Sequence, residues 1–216
     1  MVRETIGLIA LMGSAMACSL SPLGPTPLST ASSSVAAVRS FDSARVVINI
    51  DSRVNGEGYP VSLRLPPGTY EVRPVGPSAG GAWEAWHPWG PTTCGDAMGC
   101  VMPAWPPRGV TGWMNAYAVL SPHLSSVSIA GISLAPVAVP PSREVQAVTG
   151  GFFLEGGAAT RYHVFDNRVY PDAAAALAAA HGSAFVLDTE AAVGFSITDS
   201  ELTDNRGGIS LEIVRR

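Results

Sequence analysis

The chain contains no lysine: its 13 basic residues are all arginine, set against 17 acids for a net charge of -4. Charged residues make up only 14% of the 216. With no basic patch and no arginine cluster on a helix, the electrostatic footprint of a nucleic-acid-binding protein is missing. The apolar run Ile6 to Met12 falls far short of the ~20 residues a membrane-spanning helix needs. Cysteine is scarce, at Cys18, Cys94 and Cys100. No second Cys or His pair stands at ligand spacing, which argues against structural zinc. Motifs that carry common chemistry are absent: no G-x-S-x-G, no H-E-x-x-H, no phosphate-binding P-loop and no G-x-G-x-x-G. His87, His123, His163 and His181 lie in unrelated contexts. On a strand, His163 and Asp166 would point to opposite faces and make no acid–base pair. A carboxylate pair of the glycosidase kind leaves no mark in sequence spacing, so a polysaccharide-acting hydrolase stays as an alternative to a binding protein. No internal repeat is visible, which disfavours propellers and solenoids.

What the N-terminus does contain reads as an export signal over residues 1–17. Arg3 precedes the apolar run, and Gly13, Ser14, Ala15 and Ala17 supply small residues near a cleavage point. Cys18 follows Ala15-Met16-Ala17 directly, and this resembles a bacterial lipobox. The resemblance implies that Cys18 is lipidated and becomes the mature N-terminus. Plain cleavage after Ala17 and an uncleaved N-terminus are the alternatives. Residues 18–40, rich in Ser, Pro, Thr and Ala without any period, read as a flexible tether to a domain over 41–216. With Cys18 set aside, Cys94 and Cys100 form an even pair across a short loop with two glycines. A disulfide is expected there in an oxidising compartment, the alternative being two free buried thiols. The expected localisation is the bacterial cell envelope or the exterior, with membrane contact only through an N-terminal lipid.

From Phe41 onward the chain alternates apolar and polar in short runs separated by Gly and Pro. Arg45 to Asp51, Val61 to Leu65 and Thr69 to Pro74 read as strands, the last two joined by a Pro66-Pro67-Gly68 turn. Trp113 to Leu120, Val127 to Val139, Val148 to Leu154, Tyr162 to Phe165 and Ala184 to Leu187 are further candidates. One helix is expected after Pro171, with Asp172 at its N-terminus, an alanine run from Ala173 to Ala180, and Gly182 as its C-cap. Many short strands with one helix predict a mainly β fold: an antiparallel β-sandwich, jelly-roll or galactose-binding-like, with one short helix.

All five tryptophans fall between Gly80 and Trp113. Trp83, Trp86 and Trp89 are close enough to line an aromatic platform for a glycan. The favoured alternative is a small core covering one edge of the sandwich, because large aromatics usually bury.

The last stretch, Phe195 to Ile213, is two alternating runs joined by an acidic loop. Asp199, Glu201, Asp204 and Asn205 crowd oxygen-bearing side chains ahead of Gly207 and Gly208. Calcium takes such oxygens. The same residues make a plain hairpin turn, since Asx side chains cap nearby backbone and glycine permits positive φ. The final strand is expected at or near the centre of its sheet. The D-x4-DN-x-GG pattern before a terminal strand resembles the C-terminal loop of calcium-dependent galactose-binding bacterial lectins. That resemblance implies calcium as cofactor, with Asp204 and Asn205 binding metal and sugar and Asp199 as the upstream acid. The expected function is an exported, lipid-anchored binding or adhesion module that recognises a glycan or an envelope protein. A structural surface protein with no small ligand is the alternative.

Overall fold

A computed structural model describes residues 39–41, 44–56, 58–90, 92–101, 110–137, 160–199 and 201–216. All lie in the compact unit Val35–Arg216. The expected signal segment, Cys18, nearly all of the tether and the candidate strand Val148 to Leu154 fall outside the described residues.

The fold is mainly β and sandwich-like. In chain order its strands begin with β1 (Arg39–Ser40), β2 (Arg45–Asp51), β3 (Val61–Leu65) and β4 (Gly68–Pro74). Short strands follow: β5 (Trp86–His87), β6 (Thr92–Thr93), β7 (Cys100–Val101) and β8 (Val110–Thr111). Then come β9 (Tyr117–Ser121), β10 (Leu124–Ile129), β11 (Ile132–Ser133), β12 (Thr160–Val164) and β13 (Arg168–Val169). Helix α1 (Ala173–Ala178) precedes β14 (Ser183–Leu187), β15 (Ala191–Ser196) and β16 (Arg206–Arg215).

One sheet runs β1-β3-β15-β9-β12 and the other β11-β10-β14-β4-β16-β2, with β5 added to the start of β16. The alternation read from sequence is what faces the sheets together. Ile48 and Ile50, Tyr70 and Val72, Phe185 and Leu187, and Ile209, Leu211 and Ile213 all point into one core. They meet Leu63, Leu65, Val119, Val193 and Phe195 from the opposite sheet. Phe185 stacks on Tyr70 with centroids 5.0 Å apart and reaches Phe195 of the other sheet at 6.3 Å. Tyr117 of β9 and Ser183 of β14 share a hydrogen bond of 2.8 Å across the core. Burial there pushes the Tyr117 phenol above its usual range.

Three sequence expectations change. Phe195 to Ile213 is not a hairpin: β15 pairs with β3 and β9, whereas β16 pairs with β2 and β4 in the other sheet. The acidic loop therefore crosses between sheets. Alternation reports which faces are buried and is blind to the partner strand. β16 is flanked on both sides, by β4 and β2, but lies one place in from the edge of its sheet and not at the centre.

The run Val127 to Val139 is broken by a tight turn, with Ala130 and Gly131 at φ 49° and 81°. Positive φ at both central residues matches the twist of a two-residue hairpin, so β10 folds back into β11. Finally, α1 is shorter than its alanine run. Asp172 caps it as expected, Oδ1 accepting from Ala175 N at 2.8 Å, but Ala179 rather than Gly182 is the C-cap. Gly182 instead lets the chain pass the Val72 carbonyl, which a Cβ would meet at 3.1 Å.

Candidate functional site

The crossover loop is built on a neighbouring turn. Asn55 N donates to Asp51 O at 2.8 Å to close a turn over Asp51 to Asn55, and Ser52 donates from both N and Oγ to Gly207 O, at 3.1 and 2.8 Å. Asn205 is 2% exposed. Its Nδ2 donates to Ser52 O and Glu201 O, each at 3.2 Å, so one amide ties both turns together. Its Oδ1 is buried with no hydrogen-bond partner among the described residues.

Asp199 is 6% exposed and its Oδ1 accepts from Glu201 N at 3.1 Å. The Glu201 carboxylate accepts from Thr203 N and Oγ, bonds that hold it below the usual carboxylate range. Asp204 is exposed. The loop's carboxylates thus largely cap its own turns. Among the described residues no three His, Cys, Asp or Glu side chains are grouped to hold a metal.

Trp83, Trp86 and Trp89 do not share a surface. Trp86 is 0% exposed, its Nε1 donating to Ala116 O at 2.8 Å, so it drops out of the expected glycan platform. Its place in β5, paired with the start of β16, turns the indole inward. Trp83 is half-buried and covers β16: its N donates to Ser210 Oγ at 2.8 Å, and its ring lies over Gly208. Trp89 alone of the three stands out, 69% exposed. Trp113 lies edge-on to the buried His87 at 5.5 Å. Burial lowers the His87 pKa.

Cys94 and Cys100 are disulfide-bonded, with Cα atoms 5.9 Å apart, as their spacing anticipated. The bonded loop forms one wall of a pocket of about 620 Å³. Ala97 and Met98 come from this loop. Asp166 comes from the turn before β13, Arg168 from β13 and Tyr170 from just after it, while Ala175, Ala178, Ala179 and His181 come from α1 and its exit. β13 pairs with β7, which sets Arg168 opposite Val101 and beside the loop.

Asp166 organises the polar side. Its Oδ2 accepts from Tyr170 Oη at 2.6 Å and from Asn115 Nδ2 at 3.2 Å, and its Oδ1 accepts from Arg168 N at 2.9 Å. Desolvation, followed by the hydrogen bond to Asp166, raises the Tyr170 pKa. Arg168 Nη1 donates to Met98 O at 2.8 Å and to Gly99 O at 3.0 Å. A carboxylate, a guanidinium and a phenol, walled by alanine methyls, provide oriented polar groups in an apolar setting. This is the composition of small-molecule sites. Sequence reasoning had Cys94, Cys100, Asp166 and Asp172 in hand but missed the pocket, because its walls come from separate stretches of chain. No family model, no curated protein and no solved structure matches this chain.

Proposed function

We propose that this chain is an exported β-sandwich, anchored through its N-terminus, that acts by binding a small ligand in the pocket between the disulfide loop and α1. The observation that supports this reading is the clamp of Arg168 on the carbonyls of Met98 and Gly99. It fixes the bridged loop against β13 and keeps a concavity open where the alanine helix lacks the bulk to fill it. The disulfide fits an oxidising compartment. Mass spectrometry of the mature N-terminus tests the anchor, a lipid on Cys18 being expected.

The pocket is tested by Ala178→Trp, which adds an indole at an exposed lining position. In a thermal-shift screen of sugars, small acids and peptides, ligands that stabilise the unaltered chain lose their effect on this variant. A ligand unaffected by the variant binds elsewhere.

A second reading is calcium-assisted glycan binding at Asp199, Asp204 and Asn205. It is favoured by the buried, unpartnered Oδ1 of Asn205, an acceptor that a cation would satisfy. Titration of chelator-treated protein with calcium chloride in a calorimeter tests it. Heat and a raised melting temperature are expected, and the absence of both ends this reading.

A further inference from the structure

The pocket's charges are unequally committed. Asp166 already accepts from Tyr170, Asn115 and the Arg168 backbone, so its oxygens are engaged where they stand. Arg168 spends only Nη1, on the two loop carbonyls. Its Nε and Nη2 have no partner among the described residues. These two nitrogens form one edge of the planar guanidinium, the edge that takes a carboxylate through paired N–H donors. Ala97, Met98, Ala175, Ala178 and Ala179 make most of the remaining wall apolar, with Tyr170 held by Asp166 and His181 at the exit of α1. Methyl walls suit an aliphatic body better than a sugar ring, whose hydroxyls would need partners.

We infer that the pocket takes a small aliphatic carboxylate, its acid group on the Nε–Nη2 edge of Arg168 and its apolar body against the alanine wall. The inference rests on the pocket being the binding site. The same chemistry is offered by a free short-chain acid and by the C-terminus of a peptide ending in small residues. The probes are therefore hexanoate and N-acetyl-Ala-Ala, each paired with its neutral amide, titrated into the full chain and followed by amide chemical shifts.

At least one acid is expected to shift Met98, Arg168 and Ala178 and to bind about tenfold or more tighter than its amide. Preference for hexanoate points to a free acid, and preference for N-acetyl-Ala-Ala to a peptide end. Arg168→Gln is expected to abolish the acid preference, and Arg168→Lys to weaken it by removing the fork. The acid–amide comparison on the unaltered chain stands even where a variant misfolds. Amides binding as well as acids overturn the carboxylate inference and leave the pocket standing. Pocket signals unmoved by all four probes overturn this inference. Failure of the Ala178→Trp test across its wider screen separately removes the pocket itself.

Discussion

Tyr170 and Asp166 hold each other across the turn at Asn167, the phenol donating to Oδ2 at 2.6 Å. Asn167 sits at φ 59°, a backbone value that asparagine tolerates better than most residues. The pair fixes the turn that aims Arg168. Asp166→Asn replaces an acceptor with a donor among three N–H and O–H groups that need acceptors. It is expected to cost about 2 to 3 kcal/mol in urea unfolding. Tyr170→Phe removes one bond and leaves Asn115 in place, for about 1 kcal/mol. Equal effects from the two substitutions would show that Asp166 is not the centre of the network.

Trp86 and Trp89 separate in the same assay. Trp86 fills the core, so Trp86→Ala is expected to lose about 3 to 5 kcal/mol. Trp89→Ala, at an exposed position, is expected to stay within about 0.5 kcal/mol. Acrylamide quenching is likewise expected to fall sharply in Trp89→Phe, because that indole is open to solvent. A destabilised Trp89→Ala would mean the indole is buried against part of the chain.

How much of this was legible in sequence depends on what each signal encodes. Alternation at Arg45 to Asp51, Val61 to Leu65 and Ile209 to Ile213 marked true strands because one face of each is buried in a shared core. Alternation does not encode partners, and so β15 and β16 read as a hairpin while they belong to different sheets. Trp83, Trp86 and Trp89 are evenly spaced in sequence and still range from buried to exposed, because β5 is held by β16 and Trp89 lies beyond that strand. The pocket was hidden for the same reason. Pairing of β13 with β7 brings Arg168 to the disulfide loop, and no local pattern foretells that pairing.

Gly208 shows how tightly the crossover is seated. A Cβ there would lie 2.2 Å from Ile50 O and 2.8 Å from the Trp83 ring. Backbone cannot yield that far without breaking the β2–β16 pairing, so Gly208→Ala is expected to cost at least about 3 kcal/mol. Gly58→Ala, with open space around its Cβ position, is the control and is expected to be near neutral. Chemical denaturation of both variants checks the contrast.

The disulfide closes a loop with a sequence separation of 6. Chain-entropy arguments put its contribution at about 2 kcal/mol. The Cys94→Ser, Cys100→Ser double variant is therefore expected to remain folded, with its urea midpoint lowered accordingly. Loss of binding in the pocket is expected to exceed what the stability change alone would give, because the freed loop no longer presents Met98 and Gly99 to Arg168. A variant that keeps full binding would detach the loop from the site.

His163 is expected to make the first sheet sensitive to acid. It sits on β12 beside Arg161, and burial, reinforced by that guanidinium, lowers its pKa from 6.5 to about 4. Between these values the unfolded chain binds a proton that the folded chain refuses. Stability from the neutral ring is thus complete above pH 6.5 and is lost as pH falls toward about 4. One proton bound by the unfolded chain alone gives a slope of at most about 1.4 kcal/mol per pH unit, and solvent screening of the half-buried ring narrows the window over which it acts. Urea midpoints measured at about pH 7, 5.5 and 4.5 are expected to fall through this window in the unaltered chain. His163→Gln, which binds no proton in either state, is expected to flatten the decline. Parallel declines in the two proteins would assign the acid sensitivity to other groups.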